Sequence, residues 1–235
     1  MRGALKALAA TAVFGIGHSL LASRSAKRAA GRVLGAERRD ALYRPCYLAQ
    51  SVVTFGALVW YLKRQPRHTL YRVPRPWATL MRIGQAGGLV YAARAAHHVG
   101  IGRLLGVSGL AAWLTGRDMP PPAEAQGPAC VGGAMKATGP FRWHRHPLNF
   151  APLPVLWLFP HMTSRLAAMN LASTAYLVLG SRLEETRLRS AYGVIYERYR
   201  TSVPFYAPRP PSRGAVSRRS IGLVDPGLLH ALPDV

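Results

Sequence analysis

Residues 139–160 read GPFRWHRHPLNFAPLPVLWLFP, and residues 183–199 read LEETRLRSAYGVIYERY. Each of these stretches places polar residues at one end of an apolar segment. The apolar segments, Pro147–Pro160 and Leu166–Leu183, are joined by the tight turn His161–Ser164. We therefore predict a C-terminal helical hairpin that returns the chain to the membrane surface it left, so that both polar motifs lie on one side. Prolines within such a hairpin are tolerated where neighbouring helices satisfy the freed carbonyl groups.

Apolar segments also fill the chain before this hairpin. A membrane-spanning helix needs about 20 mostly apolar residues, and the sequence predicts an all-α, polytopic membrane bundle of about five transmembrane helices followed by a cytosolic C-terminal helix. A further short stretch, Ile101–Leu114, either continues the third helix after a break at the glycines or lies at the membrane interface. The five predicted spans are Ala4–Ala22, Cys46–Leu62, Ala78–Val99, Pro147–Pro160 and Leu166–Leu183.

The charge balance is strongly basic. The 235 residues include 31 Lys and Arg against nine Asp and Glu, a formal net charge of +22, and yet 49% of the residues are hydrophobic. An excess of this kind is typical either of nucleic-acid binding or of basic loops beside an anionic membrane. The apolar segments and the absence of RNA-binding signatures favour the lipid bilayer as the partner and exclude nucleic acid.

Orientation follows from the basic residues of the short loops. The loop Ser23–Pro45 carries seven Lys and Arg, and the loop Lys63–Pro76 carries five. This bias predicts a multi-pass protein of the cytoplasmic membrane with Ser23–Pro45 and the active site facing the cytosol. We divide a single domain, 1–208, into N-terminal helices (1–115), a cytosolic loop (116–146) and the hairpin with its cofactor-binding helix (147–208), and we predict a disordered tail at 209–235.

The first polar motif combines cations with aromatic rings. Arg142, His144, Arg145 and His146 stand beside Phe141 and Trp143, which offers donors for a carboxylate and ring faces for an adenine or a sulfonium. The structural alternative is an interfacial anchor of Trp, His and Arg.

The second polar motif contains two of the nine acidic residues side by side, Glu184 and Glu185. A carboxylate pair followed by tyrosines suits an ammonium or a ribose. The alternative is a set of surface ion pairs, Glu184–Arg187 and Glu185–Arg189, each worth only a few tenths of a kcal/mol. On a helix one face is shared by Glu185, Leu188, Tyr192, Ile195, Tyr196 and Tyr199.

These motifs, taken in order, resemble the C-terminal signature of the isoprenylcysteine carboxyl methyltransferase-like membrane enzymes. The resemblance rests on Arg145-His-Pro-Leu148, the apolar hairpin, Leu183-Glu-Glu185, the stretch Tyr192–Tyr199 and Val203-Pro204. Phospholipid N-methyltransferases share the general pattern. Within the group, Pro160-His-Met-Thr163, Thr174-Ala-Tyr176 and His18-Ser-Leu-Leu-Ala-Ser23 are most similar to the methanethiol S-methyltransferase and NnrU-type branch.

The resemblance implies methyl transfer from S-adenosyl-L-methionine. It places the cofactor near His146, Pro147, Glu184 and Glu185, and Arg142 and Tyr196 are further candidates for binding it. One position departs from the pattern, since many relatives have Tyr where this chain has Asn149. The resemblance therefore predicts a changed contact to cofactor or substrate at Asn149.

Methyl transfer from a sulfonium needs alignment and a dry site more than an acid or a base. We therefore expect no catalytic acid or base and no metal, with Arg145 and His146 as positioning residues. The acceptor is a small or lipophilic thiol, prenyl-cysteine carboxylate or lipid that arrives from the bilayer. Candidate substrate residues are Asn149, Arg44, Arg94 and His18.

Two points stay open from the sequence. Arg94 and His97 either line a polar cavity or reach the membrane interface beside Arg82 and His98. A second function class, a non-enzymatic haem, electron-transfer or accessory protein of the NnrU type, is motivated by histidines that recur in the membrane segments. Those histidines are His18, His97, His98, His144 and His146.

Overall fold

The structure is a computed structural model that describes residues 2–118, 130–131, 134–135 and 137–206. Within them the chain is mainly helical, as the sequence predicts. The predicted tail at 209–235 and most of the loop 119–136 lie outside the described residues. The helices are α1 Arg2–Ala22, α2 Arg24–Leu34, α3 Ala36–Lys63, α4 Trp77–Val99, α5 Ile101–Leu105, α6 Val107–Thr115, α7 Pro147–Phe150, α8 Pro152–Trp157 and α9 Ser164–Ser202.

Short antiparallel strand pairs connect the helices. Strand β1, Thr69–Arg72, pairs with β4, His161–Thr163, and so joins the end of α3 to the start of α9. Strand β2, Cys130–Val131, pairs with β3, Ala134–Met135. A 3-10 helix, Gly139–Arg142, precedes the first polar motif.

Two helices of the described chain, α1 and α3, are long and apolar enough to cross a membrane. The third predicted span is the helix α4, but Arg82 and Arg94 interrupt its apolar surface. The predicted count of five spans is therefore not confirmed.

The basic segment Ser23–Pro45 is not the loop that the sequence predicts. The Ser23 hydroxyl accepts a hydrogen bond from the Ala26 amide at 3.1 Å and starts α2, and α3 begins at Ala36 and continues through Pro45. A proline removes one helical hydrogen bond, but Arg44 beside it is held by α5, because its Nε donates to the Leu104 carbonyl at 2.7 Å. Tertiary contact thus extends the helix over residues that the local pattern marks as a boundary.

The proline-rich segment Pro147–Pro160 also differs from prediction. It forms two short helices, α7 and α8, and the predicted turn His161–Ser164 is largely strand β4. The segment runs back along α9, since Asn149 Nδ2 donates to Ser181 Oγ at 2.8 Å and Trp157 Nε1 donates to Thr174 Oγ1 at 2.9 Å. A hairpin of two spanning helices is therefore not confirmed.

Helices α1 and α9 run parallel. Ala7, Leu58 and Leu62 form a buried cluster of α1 and α3, against which Ala168 and Met169 of α9 pack. Two turns further along, Gly15 lies against the Tyr176 ring, which a Cβ at Gly15 would approach to 2.8 Å. The two helices therefore keep the same register between these two contacts.

The far end of α9 has its own core. The predicted face of the second motif is buried there, where Leu188, Tyr196 and Tyr199 pack with Met135 and Val203. The helix changes direction at Gly193, whose φ of 49° and ψ of −126° are not helical. This bend turns the tyrosines back towards the 3-10 helix, and Tyr199 Oη donates to the Phe141 carbonyl at 2.9 Å.

Candidate functional site

The two polar motifs meet in a buried cluster of four charged residues, Arg145, His146, Glu184 and Glu185, which we call the charge cluster. Arg145 Nε lies 2.6 Å from Glu185 Oε1. The imidazole of His146 stands between the carboxylates, with Nε2 at 3.2 Å from Glu185 Oε1 and Nδ1 at 3.5 Å from Glu184 Oε2. The structure therefore brings together the predicted positioning residues and the predicted carboxylate pair.

Arg145 also closes the end of α9. Its Nη1 donates to the carbonyls of Arg200 at 2.8 Å and Val203 at 2.5 Å, and its backbone amide donates to Pro204 at 2.9 Å. The last carbonyls of a helix lack intrahelical partners and carry partial negative charge. One guanidinium thus ties the first motif to both the carboxylate and the C-terminal end of the same helix.

The charges in the cluster stabilise one another. Burial alone would lower the pKa of His146, but the hydrogen bonds and negative charges of Glu184 and Glu185 outweigh it and raise that pKa. Burial alone would raise the pKa of Glu185, but His146 and Arg145 outweigh it and lower that pKa to about 2. The cluster therefore favours a protonated His146 and an ionised Glu185.

An aromatic wall covers one side of the charge cluster. The ring centroids of Phe205 and Tyr206 lie 4.9 and 6.3 Å from that of His146. Tyr206 Oη is 3.0 Å from Ser181 Oγ, which also receives the Asn149 amide. Phe205 and Tyr206 are site residues that the sequence reasoning missed, although an aromatic pair directly after Val203-Pro204 was a visible signal.

Tyr196 lies beside the cluster with no exposed surface. Its hydroxyl makes no hydrogen bond of normal geometry to the described residues, although it lies close enough to the Glu185 carboxylate to interact with it. Burial, reinforced by the negative charge of Glu185, raises the pKa of Tyr196, so the phenol stays protonated. A buried hydroxyl of this kind is a group that a ligand can satisfy.

A second histidine is buried next to the cluster. His144 Nε2 lies 2.5 Å from Tyr91 Oη, and its ring packs edge-on against Phe150. Burial, with the neighbouring His146 cation, lowers the pKa of His144 to about 4. His144 is therefore neutral at physiological pH, and its pKa moves in the opposite direction to that of His146.

Several predicted residues lie apart from the charge cluster. Arg142 is exposed at the end of the 3-10 helix, and Arg94 is exposed on α4. Arg44 contacts the Leu104 carbonyl, and His18 lies in α1. Pro147 is buried as the first residue of α7, and the proposed surface pair Glu185–Arg189 is absent, since Arg189 Nε instead contacts Glu197 Oε1 at 2.9 Å.

The histidines that motivate a haem site are dispersed. His97 and His98 are exposed, and the ring of His98 lies 2.8 Å from the Arg94 carbonyl through Nδ1. His18 contacts Tyr47, His144 contacts Tyr91, and His146 contacts Glu185. In the part of the chain that the structure describes, no group of three His, Cys, Asp or Glu residues is placed to hold a metal ion.

Comparison with known proteins confirms the resemblance stated from the sequence. The chain is similar to a protein named methanethiol S-methyltransferase 2 from Bradyrhizobium diazoefficiens, with 38% identity over 65 residues, which is 28% of this chain and 25% of that protein. It is similar to a methanethiol S-methyltransferase of a Pseudomonas strain, with 32% identity over 76 residues, 32% of this chain and 29% of that protein. The same name belongs to a Mycobacterium tuberculosis protein, 31% identical over 70 residues, 30% of this chain and 29% of that protein.

The similarity to these methyltransferases is partial. The matched residues span less than a third of the length of each curated relative. No family model matches the chain, and no solved structure matches it.

Proposed function

We propose that this protein is a membrane methyltransferase that binds S-adenosyl-L-methionine at the charge cluster and methylates a small thiol. The observation that carries the proposal is the buried His146 imidazole between Glu184 and Glu185, with Arg145 on the Glu185 carboxylate. The names of the relatives support methyl transfer and a sulfur acceptor.

The chemistry of the cluster suits the cofactor. An ammonium group and ribose hydroxyls donate hydrogen bonds, which the Glu184 and Glu185 oxygens accept. A carboxylate accepts hydrogen bonds from Arg145 and His146, which are charged donors. The Phe205 and Tyr206 rings offer faces to an adenine or a sulfonium, and the buried Tyr196 hydroxyl makes no hydrogen bond of normal geometry to the described residues.

The balance of cations and carboxylates in the charge cluster also favours binding of a zwitterion. Because the cluster already pairs its cations with its carboxylates, an incoming zwitterion can share them without leaving a buried charge unpaired. An unpaired buried charge would cost several kcal/mol.

Bound S-adenosyl-L-methionine supplies a methyl group activated on a sulfonium sulfur. The protein's part is to align the reactants and keep water out. His146 is only 4% exposed and Glu184 only 6%, so the cluster is sheltered from solvent. Arg145 fixes the geometry because it holds the Glu185 carboxylate and the end of α9 together.

We further infer that the protein crosses the cytoplasmic membrane several times, with the cluster facing the cytosol. Helices α1, α3, α4 and α9 have the length for a crossing, since 20 residues of helix span about 30 Å. The segment formed by α7 and α8 runs along α9 and supplies the fifth crossing. Its contacts with α9 compensate for the backbone hydrogen bonds lost where the helix is broken. Helix α2, with Arg24, Lys27, Arg28 and Arg32, lies at the anionic cytosolic surface.

Binding is tested by calorimetry of the detergent-purified protein with S-adenosyl-L-methionine. We expect Glu184→Gln and Glu185→Gln to weaken binding at least about tenfold, because each removes a charged hydrogen-bond acceptor worth about 1.5–3 kcal/mol. Glu197→Gln is the matched control, since Glu197 forms ion pairs with the partly exposed Arg189 and Arg200. Unchanged affinity in both cluster variants would contradict the assignment.

Transfer is tested with labelled S-adenosyl-L-methionine and a panel of short thiols, prenyl-cysteines and lipid amines. We expect label in the thiol fraction and not in the carboxylate or amine fractions. Label in the lipid fraction alone would support S-adenosyl-L-methionine as the methyl donor and contradict a thiol as the acceptor.

A further inference from the structure

A polar cluster lies between α1, α3 and α9, and it contacts α9 at Tyr176, about two turns before Glu184 of the charge cluster. His18 of α1 contacts Tyr47 and Ser51 of α3, with Nε2 at 2.5 Å from Tyr47 Oη and Nδ1 at 3.0 Å from Ser51 Oγ. The His18 ring also packs edge-on against the Tyr176 ring of α9, with centroids 6.0 Å apart. Ionisable residues within a membrane helix are costly and mark functional positions by default.

The hydrogen bonds fix which nitrogen of His18 carries the proton. The Ser51 hydroxyl donates its one hydrogen to the Tyr47 carbonyl at 2.7 Å, so Ser51 Oγ accepts from His18 Nδ1–H. His18 Nε2 is then the unprotonated nitrogen, and it accepts the Tyr47 hydroxyl hydrogen. Tyr47 thus donates its hydroxyl hydrogen to His18, which can act as the base for that hydroxyl.

The level of this cluster along α9 follows from the parallel helices. Ala168 and Met169 pack against the cluster that contains Ala7, and Gly15 lies against the Tyr176 ring. If this parallel register continues, His18 stands at the level of Leu179 and Gly180, while its ring contacts Tyr176. Tyr176, Gly180 and Glu184 follow at intervals of four and share one helix face. Gly180 and Glu184 are therefore about 6 Å apart along the helix, so Gly180 lies between Tyr176, where the His18 cluster contacts α9, and the charge cluster.

The helix surface at Gly180 is bare. A Cβ at Gly180 would meet no atom of the described residues within 4 Å. Tyr176, which is half-buried against the His18 cluster, lies on the same flank of α9 as Leu179 and Leu183. Those two leucines are 60% and 62% exposed. The gap between α1 and α9 therefore opens sideways towards the bilayer.

We propose that this gap at Gly180 binds the thiol acceptor and that Tyr47 and His18 remove its proton. This base departs from the expectation drawn from the sequence, and the inference rests on the proposed methyl transfer at the charge cluster. The chemistry of the gap selects the acceptor class. A carboxylate acceptor would be bound by a cation, and a lipid amine would be bound by a carboxylate. The gap instead has the Tyr47 phenol hydrogen-bonded to the neutral His18 imidazole, and this pair suits a neutral weak acid in an apolar environment. A short thiol is such an acid, and its thiolate is the nucleophile.

The step balances as follows. The acceptor sulfur forms a new bond to the methyl carbon while the bond between that carbon and the donor sulfonium breaks, and its electron pair stays on the donor sulfur. The thiol proton moves to Tyr47 Oη as the Tyr47 proton moves to His18 Nε2. His18 leaves the step as an imidazolium, held by Ser51 and Tyr47.

The first test observes binding without turnover. Ethanethiol is titrated, with no methyl donor, into detergent-purified wild-type protein carrying ¹⁵N-labelled histidine, and the His18 signals are identified by their loss in His18→Gln. We expect ethanethiol to shift the His18 ring signals and leave those of His161 in place. Unmoved His18 signals at saturating thiol overturn the proposal.

The second test fills the gap. We expect Gly180→Leu to raise the KM for ethanethiol at least tenfold with an unchanged Kd for S-adenosyl-L-methionine, and Gly180→Ala to give a smaller rise. Tyr47→Phe should lower kcat at least tenfold, whereas Tyr43→Phe, one turn away and bonded to the Leu21 carbonyl, should leave it unchanged. Wild-type KM in Gly180→Leu, or equal kcat in the two tyrosine variants, rejects the subsite.

The two proposals fail separately. If no acceptor is methylated but ethanethiol still shifts the His18 signals, the thiol subsite stands and the methyltransferase proposal falls. If thiols are methylated with the same kinetics in all of these variants, the methyltransferase stands and the subsite falls.

Discussion

At the scale of single residues, this protein concentrates its scarce acids where they are least exposed. Only nine of its 235 residues are acidic, against 31 basic ones, and two of the nine are buried side by side at Glu184 and Glu185. Burial alone would favour a protonated Glu185, but Arg145 and His146 keep that carboxylate charged. The cluster is therefore a unit in which each charge depends on the others.

The raised pKa of His146 predicts a pH dependence of stability. Protonated His146 stabilises the fold, so its contribution is fully present below the ordinary value of 6.5 and is lost as pH rises through the raised folded-state value. We expect the unfolding midpoint of the detergent-purified protein to fall as pH rises above 6.5, and His146→Gln to flatten that fall. If the unfolding midpoint of His146→Gln falls equally with pH, a group other than His146 causes the pH dependence.

Arg145 is expected to contribute more to stability than any surface arginine. Its side chain is 9% exposed, and Arg145→Ala leaves Glu185 buried and unpaired, which should cost about 3 kcal/mol in the free energy of unfolding. Arg189→Ala is the matched control, because its pair with Glu197 is 44% and 41% exposed and should change stability by less than about 1 kcal/mol. Chemical denaturation in detergent micelles measures both, and equal losses would contradict the role of Arg145.

At the scale of elements, α9 connects the parts of the site. One helix of 39 residues carries Tyr176 and Gly180 at the proposed acceptor gap, the carboxylate pair, and the buried tyrosines beyond the bend. Helical side chains repeat every 3.6 residues, so a single rigid element sets the spacing between these groups. The bend at Gly193 is the one place within α9 where the helical dihedrals fail.

The bend predicts an effect of substituting Gly193. Its positive φ is strained for any residue with a Cβ, so Gly193→Ala should lower the free energy of unfolding by about 1–2 kcal/mol. Gly87→Ala is the control, because Gly87 has no positive φ and an added Cβ would meet no described atom within 4 Å; it should be neutral or stabilising. A stabilising Gly193→Ala would show that the bend is not needed.

At the scale of the whole molecule, the ends of the helices sort into two levels. The charge cluster, α2 and the ends of α1 and α4 lie at one level. The strand pair of β1 and β4 lies at the other, where Arg165 Nη1 donates to the carbonyls of Lys63 and Gln65 at 2.8 and 2.9 Å. This division fits a membrane between the two levels, with the more basic level inside.

The orientation predicts opposite labelling at the two levels. In a variant with Cys46 and Cys130 replaced by Ala, Thr69→Cys in β1 should react with a membrane-impermeant maleimide on intact cells. Ser25→Cys in α2 should react only after the cells are opened. Reaction of Ser25→Cys on intact cells would reverse the topology and move the charge cluster to the outer face.

The sequence by itself determined the chemistry of the charge cluster. An Arg-His-Pro motif, an apolar segment and an adjacent Glu pair were enough to predict that Arg145, His146, Glu184 and Glu185 meet, although the hairpin used to predict that meeting is not confirmed. The helical class followed from the same apolar runs, since lipid leaves backbone groups no partner outside the helix.

Only the tertiary structure decided what lies around these residues. The pattern could not place Phe205 and Tyr206 against His146, or bring His18 to the level of Gly180, because both depend on how separate helices pack. It also misjudged boundaries at Pro45 and at Pro147–Pro160, where contacts to neighbouring helices outweighed the local cost of proline. Local pattern specifies which groups need partners, whereas packing decides which partners they receive.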